Sequence, residues 1–98
     1  MILAKNTPNS ASTQLTSNAT TIAARGGRRT LIIINRKGSE VLYVKEGAGC
    51  SSTDFSYILV GGTTDNDGYG GSVPIAYTGL VSIYATSTTP LATAVENY

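Results

Sequence analysis

Arg28-Arg29-Thr30-Leu31-Ile32-Ile33-Ile34-Asn35 is the most strongly β-prone stretch of this 98-residue chain. Its β-branched run suits a pleated surface better than a helix. Leu31 and Ile33 fall on one face of a strand, Ile32 and Ile34 on the other. Apolar groups on both faces call for cover on both sides, supplied either by the fold or by a partner. Upstream, Arg25-Gly26-Gly27-Arg28 reads as a turn. Downstream, Arg36-Lys37-Gly38-Ser39 reads as a hairpin-like turn with glycine at a positive-φ position. Residues 40–45 form the expected return strand, with Val41 and Tyr43 on one face and Leu42 and Val44 on the other.

The same texture continues outward. Residues 46–52 are a glycine-punctuated loop. Residues 55–60 form a strand with Phe55, Tyr57 and Leu59 on one side. Residues 61–71 are a long glycine loop. Residues 72–77 form a short strand, and Pro74 within it calls for an edge position, because proline donates no ladder hydrogen bond. Residues 80–86 alternate, with Val81, Ile83 and Ala85 opposite Leu80 and Tyr84. Pro90 opens a last strand through about Val95. Toward the N-terminus, residues 15–24 read as a first strand. No window carries a helical apolar stripe. About seven short strands at even spacing predict an all-β protein, a single small β-sandwich of jelly-roll-like or immunoglobulin-like type. The domain spans residues 15–98. Residues 1–14, polar and broken by Pro8, form an extended N-terminal arm with Ile2 and Leu3 as anchors. The arm is either a loose tail or a segment that orders on a partner.

Composition narrows the function. A chain of this length makes one small domain, which gains from association because it buries only about 60–65% of its unfolded surface. Charged residues make up 13% of it and the net charge is +1, a weak footprint for nucleic acid. There is no histidine and a single cysteine. That excludes Ser–His and Cys–His catalysis, histidine metal sites, cysteine-rich zinc sites and an intrachain disulfide. Lone Cys50 has no basic neighbour in sequence and reads as a small apolar filler. Met1 to Ala4 is followed at once by Lys5, so no signal-peptide core is expected. The longest aliphatic run, Leu31 to Ile34, is far short of the ~20 residues of a membrane span. A cytoplasmic origin without a membrane partner is the expectation. The glycosylation sequon at Asn18-Ala19-Thr20 stands alone, without another sign of secretion.

Few residues offer chemistry. Asp65-Asn66-Asp67-Gly68 begins like a calcium loop, but the twelfth position from Asp65 is Ala76 rather than glutamate. Ordinary turn chemistry accounts for the same residues. The carboxylates of Glu40, Glu46, Asp54, Asp65, Asp67 and Glu96 show no paired spacing, so no catalytic residue, metal or cofactor is expected, and the chain does not read as an enzyme. The Gly-Gly pairs fit no phosphate loop.

Five of the seven basic residues lie between Arg25 and Lys37. They serve either as a solvated strand edge or as a dock for an acidic protein surface, where arginine pairs with carboxylates. Base stacking on sheet aromatics is a third use, which +1 of net charge supports poorly. Six of the seven aromatics are tyrosine. Tyrosine suits sandwich edges and interfaces alike, and Tyr69 in the glycine loop is the best placed for a contact.

From Arg28 onward the order of elements resembles a family. RRTLIIIN at 28–35 is followed by a Gly-Ser turn, then VLYV at 41–44, GAG at 47–49 and SSTDF at 51–55. YIL at 57–59 and YTGLVSI at 77–83 complete it. This order is similar to that of small virion proteins of tailed bacteriophages, among them capsid decoration (cement) proteins and domains of head fibres and tail parts. The resemblance covers roughly residues 20–95; residues 72–76 and the acidic loop fall outside it. It implies a β-sandwich domain without catalysis, located on the capsid exterior and in the host cytoplasm during assembly. The implied partners are the major capsid protein and further copies of the chain, in a trimer or other cyclic oligomer. On that expectation the arm, with Ile2 and Leu3, and Arg25, Arg28 and Arg29 dock to the shell. A receptor- or carbohydrate-binding module of a tail or head fibre, using Tyr69, Asp65 and Asp67, is the alternative. A cellular adhesin needs a secretion signal.

Overall fold

The computed structural model describes residues 10–98, which form eight strands and no helix. They are β1 (Ser10–Leu15), β2 (Ala19–Ile22), β3 (Thr30–Asn35), β4 (Leu42–Glu46), β5 (Tyr57–Leu59), β6 (Ser72–Ile75), β7 (Val81–Ala85) and β8 (Ala92–Asn97). The first strand pairs with the last, the second with the seventh, the third with the sixth and the fourth with the fifth, all antiparallel. The chain is thus one long hairpin, rolled up so that β3 also meets β8 and β4 meets β7. Two four-stranded sheets result, in the orders β1-β8-β3-β6 and β2-β7-β4-β5. This is the jelly-roll arrangement; of the two sandwich types expected, it is the one found.

The core lies between the sheets. Leu15, Leu31, Ile33, Ile75, Ala92 and Ala94 line it from one side. Ile22, Leu42, Val44, Leu59, Val81, Ile83 and Ala85 line it from the other. Leu31 and Ile33 are fully buried, whereas Ile32 and Ile34 on the outer face stay half-buried. The fold therefore covers one face of β3 completely. On the other face, the cross-strand neighbours of Ile32 among the described residues are Val95 and Pro74. β6 is an edge strand, as Pro74 requires.

Three local expectations change. The single strand expected over residues 15–24 is two strands, β1 and β2, in different sheets and joined through Thr16-Ser17-Asn18. The described strands therefore begin with β1 at Ser10, inside the stretch 1–14 expected as an arm. β1 escapes sequence reading because Ser10, Ser12, Thr13 and Gln14 are exposed and only Leu15 reaches the core. Its pairing with β8 rests on the backbone, which is blind to side-chain type. Ile2 and Leu3 lie outside the described residues.

The expected hairpin at 36–39 is a crossing between sheets, since β3 and β4 belong to different ones. Ser39 takes the positive φ, at 62°, while Gly38 forms a parallel bridge with Gly62. A Cβ on Gly38 would stand 2.7 Å from the Thr64 carbonyl carbon, so glycine here serves close backbone approach. Phe55 also leaves the side shared by Tyr57 and Leu59. β5 is only three residues long, and a bend at Ser56 separates Phe55 from it, so that Phe55 packs instead against Tyr43.

Candidate interaction surfaces

Antiparallel succession sends alternate loops to opposite ends of the sandwich. The β2–β3 and β6–β7 loops share one end with the close of β8. Arg28 occupies its centre. Its side chain has no exposed surface. Its Nε donates to Glu96 at 2.9 Å, its Nη1 to the carbonyls of Tyr77 and Gly79, each at 3.0 Å, and its Nη2 to the Ala23 carbonyl at 2.6 Å. The planar fork thus ties two loops and β8 together. A docking role for Arg28 does not survive this burial. Arg25 donates to the same Glu96 carboxylate at 3.2 Å and lies 3.8 Å from the centroid of the Tyr98 ring, a cation–π contact. Arg29 is exposed, and among the described residues its backbone N–H is engaged by the Asn97 carbonyl, with no partner for its guanidinium. Of the three arginines, Arg29 and part of Arg25 remain available to a partner.

The β3–β4, β5–β6 and β7–β8 loops gather at the other end. Tyr69 is there, 77% exposed, and therefore far from the three arginines of the expected dock. Its loop is built on Asp67, whose carboxylate accepts the N–H groups of Thr63, Thr64 and Tyr69. Those donors hold the Asp67 carboxyl below the ordinary aspartate range. Gly62 leaves the room that this carboxylate fills. Asp65 accepts the Gly38 N–H at 2.8 Å and faces Lys37 Nζ at 3.6 Å. Both carboxylates of the stretch that begins like a calcium loop are thus engaged within the loop cluster. Beneath them Asn35 is buried. Its Nδ2 lies within 3.1 Å of the carbonyls of Glu40, Leu59 and Val60, and its Oδ1 accepts the Lys37 N–H.

The third surface is the outer face of the β2-β7-β4-β5 sheet. In register across it lie Ala19, Tyr84, Tyr43 and Ile58. Val41 and Val60 continue the apolar stripe toward the β3–β4 loop. Phe55 sits 5.0 Å from Tyr43 and Tyr84 sits 6.3 Å from it, with ring planes inclined by 46° and 34°. Phe55 is 38%, Ile58 49% and Val60 59% exposed. Lys45, two residues from Tyr43 on β4, and Asp54, beside Phe55, are closed on each other at 2.6 Å. The site residues expected from sequence do not include this stripe. Its signal was the shared face of Val41 and Tyr43, together with the outward phase of Tyr84; the addition of Phe55 depends on the bend.

Beside the stripe, the 47–50 loop folds over Ser82, whose Oγ donates to the Gly47 carbonyl and accepts the Cys50 N–H. Cys50 is half-buried on a groove of about 430 Å³ shared with Thr20, Thr21 and Ile83. Burial, and next the Asp54 charge, pushes its thiol pKa up, so it stays protonated and poorly nucleophilic near neutral pH.

No protein-family model matches this chain, and no curated protein or solved structure matches it either.

Proposed function

We propose that this chain is a non-enzymatic virion structural protein: a capsid decoration protein that binds the major capsid protein lattice and stabilises the head. The observation that carries the reading is the uncharged stripe of Tyr43, Phe55, Ile58, Val60 and Tyr84. It lies on a domain whose charged groups mostly bind its own loops. Such a surface offers contact area rather than chemistry. Jelly rolls recur among capsid proteins, lectins and cupins, which supports the reading by fold analogy. A cement protein works by bridging neighbouring shell subunits, so that separating them also breaks its own contacts. A contact of modest area suffices when a lattice repeats it many times. Exposed Arg29 and part of Arg25 are the candidates for an acidic patch on the shell. The site of action is the capsid exterior, reached from the host cytoplasm during assembly.

Copy number in purified particles, measured against the major capsid protein, tests this. On the order of hundreds per particle is the expected result for a contact repeated over a lattice. Complete absence from particles overturns it. Removal of residues 2–9, which leaves β1 intact, is expected to abolish head binding if the arm docks to the shell.

One observation favours a second reading, a receptor- or carbohydrate-binding module of a tail or head fibre. Tyr69 projects from a loop stiffened by the three N–H bonds to Asp67. A rigid, exposed tyrosine is a good contact residue. A handful of copies per particle, with glycan binding lost in Tyr69→Ala, would select this reading.

A further inference from the structure

We infer that the outer face of the β2-β7-β4-β5 sheet is a self-association surface, meeting the same face of a second copy across a two-fold axis. The inference rests on the decoration-protein reading for its setting and goes beyond it by assigning a surface and a symmetry.

The first argument is charge. In an isologous contact the same patch lies on both sides, and groups near the two-fold axis meet their own kind. An axis through the end that carries exposed Arg25 and Arg29, with Glu96 as the acidic side chain beside them, would bring arginine against arginine. Like charges juxtaposed across an interface are strongly unfavourable. The sheet face has no such conflict. Its stripe of Val41, Tyr43, Phe55, Ile58, Val60 and Tyr84 is uncharged, and Lys45 neutralises Asp54 at its border.

The second argument is shape. A flat sugar ring stacks on a flat aromatic platform. Here the rings flanking Tyr43 are inclined to it by 46° and 34°, so the stripe is corrugated. Ile58 and Val60 stand beside the rings as aliphatic ridges. Ridges and tilted rings interlock with a copy of themselves in a way that a planar ligand does not.

The third argument is area. From the exposed fractions, the stripe offers on the order of 400 Å² of apolar surface, within the range of the largest patches on monomers. Two copies would bury about 800 Å², just below the ~1,000 Å² of a self-sufficient interface. The pair is therefore weak when free, with a dissociation constant expected at about 0.1–1 mM. It becomes effective when a lattice holds the copies close together.

Sedimentation equilibrium of the full chain, from about 10 μM to about 1 mM, tests the assignment over the range that a contact of this size predicts. A monomer–dimer equilibrium is expected, weakened at least tenfold in both Ile58→Asp and Val60→Asp. Both side chains are about half exposed, and a wild-type thermal melt verifies that each variant is folded. Arg29→Glu is expected to leave the equilibrium unchanged. A chain that stays monomeric throughout overturns the inference. So does association that persists in both sheet variants, is lost in Arg29→Glu, or gives way to saturable binding of soluble glycan on the stripe. The assay contains no capsid, so a monomeric result leaves head binding standing. Absence from particles, conversely, would remove the decoration reading without touching the self-contact.

Discussion

The two ends of the sandwich solve one problem with different chemistry. Each must hold several loops that cross between sheets, and each places a buried polar side chain at its centre. At one end the holder is a cation, Arg28, tied to Glu96 and three carbonyls. At the other it is a neutral amide, Asn35, tied to three carbonyls and one N–H. The cation carries a desolvation cost that only its carboxylate and full hydrogen bonding offset. The amide carries a smaller one. The charged end is therefore the more brittle, and the arginine that looks in sequence like a docking residue is the one least able to dock.

Substitutions at the two ends separate these roles. The largest effect is expected for Arg28→Ala, which leaves the Glu96 carboxylate with only the more exposed Arg25 as a partner and three carbonyls without their donor. A loss of about 3–5 kcal/mol is the usual scale for breaking a buried pair, a large share of a small domain's stability. Urea unfolding measures it, and a loss below about 1 kcal/mol would mean that water replaces the guanidinium freely. Asn35→Ala comes next, at about 2–3 kcal/mol, because the carbonyls of Glu40, Leu59 and Val60 lose a shared donor, Leu59 being the buried one. The same denaturant series ranks the two, and an equal loss at both ends would erase the contrast.

A smaller, pH-dependent effect is expected at Asp67. Its folded pKa lies below the unfolded value, so the loop order it provides is complete above the ordinary aspartate range. That order is lost as the pH falls through the depressed folded value. The amide resonances of Thr63, Thr64 and Tyr69 should titrate together, with a midpoint below the reference of about 3.9. Asp67→Asn should abolish that titration while leaving the opposite end unmoved. The smallest effect on stability is expected for Arg29→Glu and Ile58→Asp, within about 0.5 kcal/mol, as befits exposed positions. Their consequences belong to binding instead. Leu59, one residue from Ile58 and buried, provides the control: Leu59→Asp should unfold the domain.

Much of this was legible along the chain. Leu31 and Ile33 lie in the core, and Pro74 marked the edge strand. Alternation in β4 and β7 put Leu42, Val44, Val81, Ile83 and Ala85 inward. The candidate sites were less legible. Tyr69 is exposed, but it stands at the opposite end from Arg25, Arg28 and Arg29. The apolar stripe on the sheet face unites Tyr43, Phe55 and Tyr84 from three separate segments, and no local pattern shows that they meet.

The division has a physical origin. A strand's two faces are set by a period of two, which any six residues display, so an all-β chain and most of its core follow from local pattern. The choice of strand partner rests on backbone groups that every residue carries alike, and so does the pairing of polar β1 with β8. That choice is settled only when the rolled hairpin closes. The fate of Arg28 is settled at the same moment, because its partners come from residues 23, 77, 79 and 96. Only the closed fold brings those groups around one guanidinium, and that convergence turns a surface charge into a buried tie.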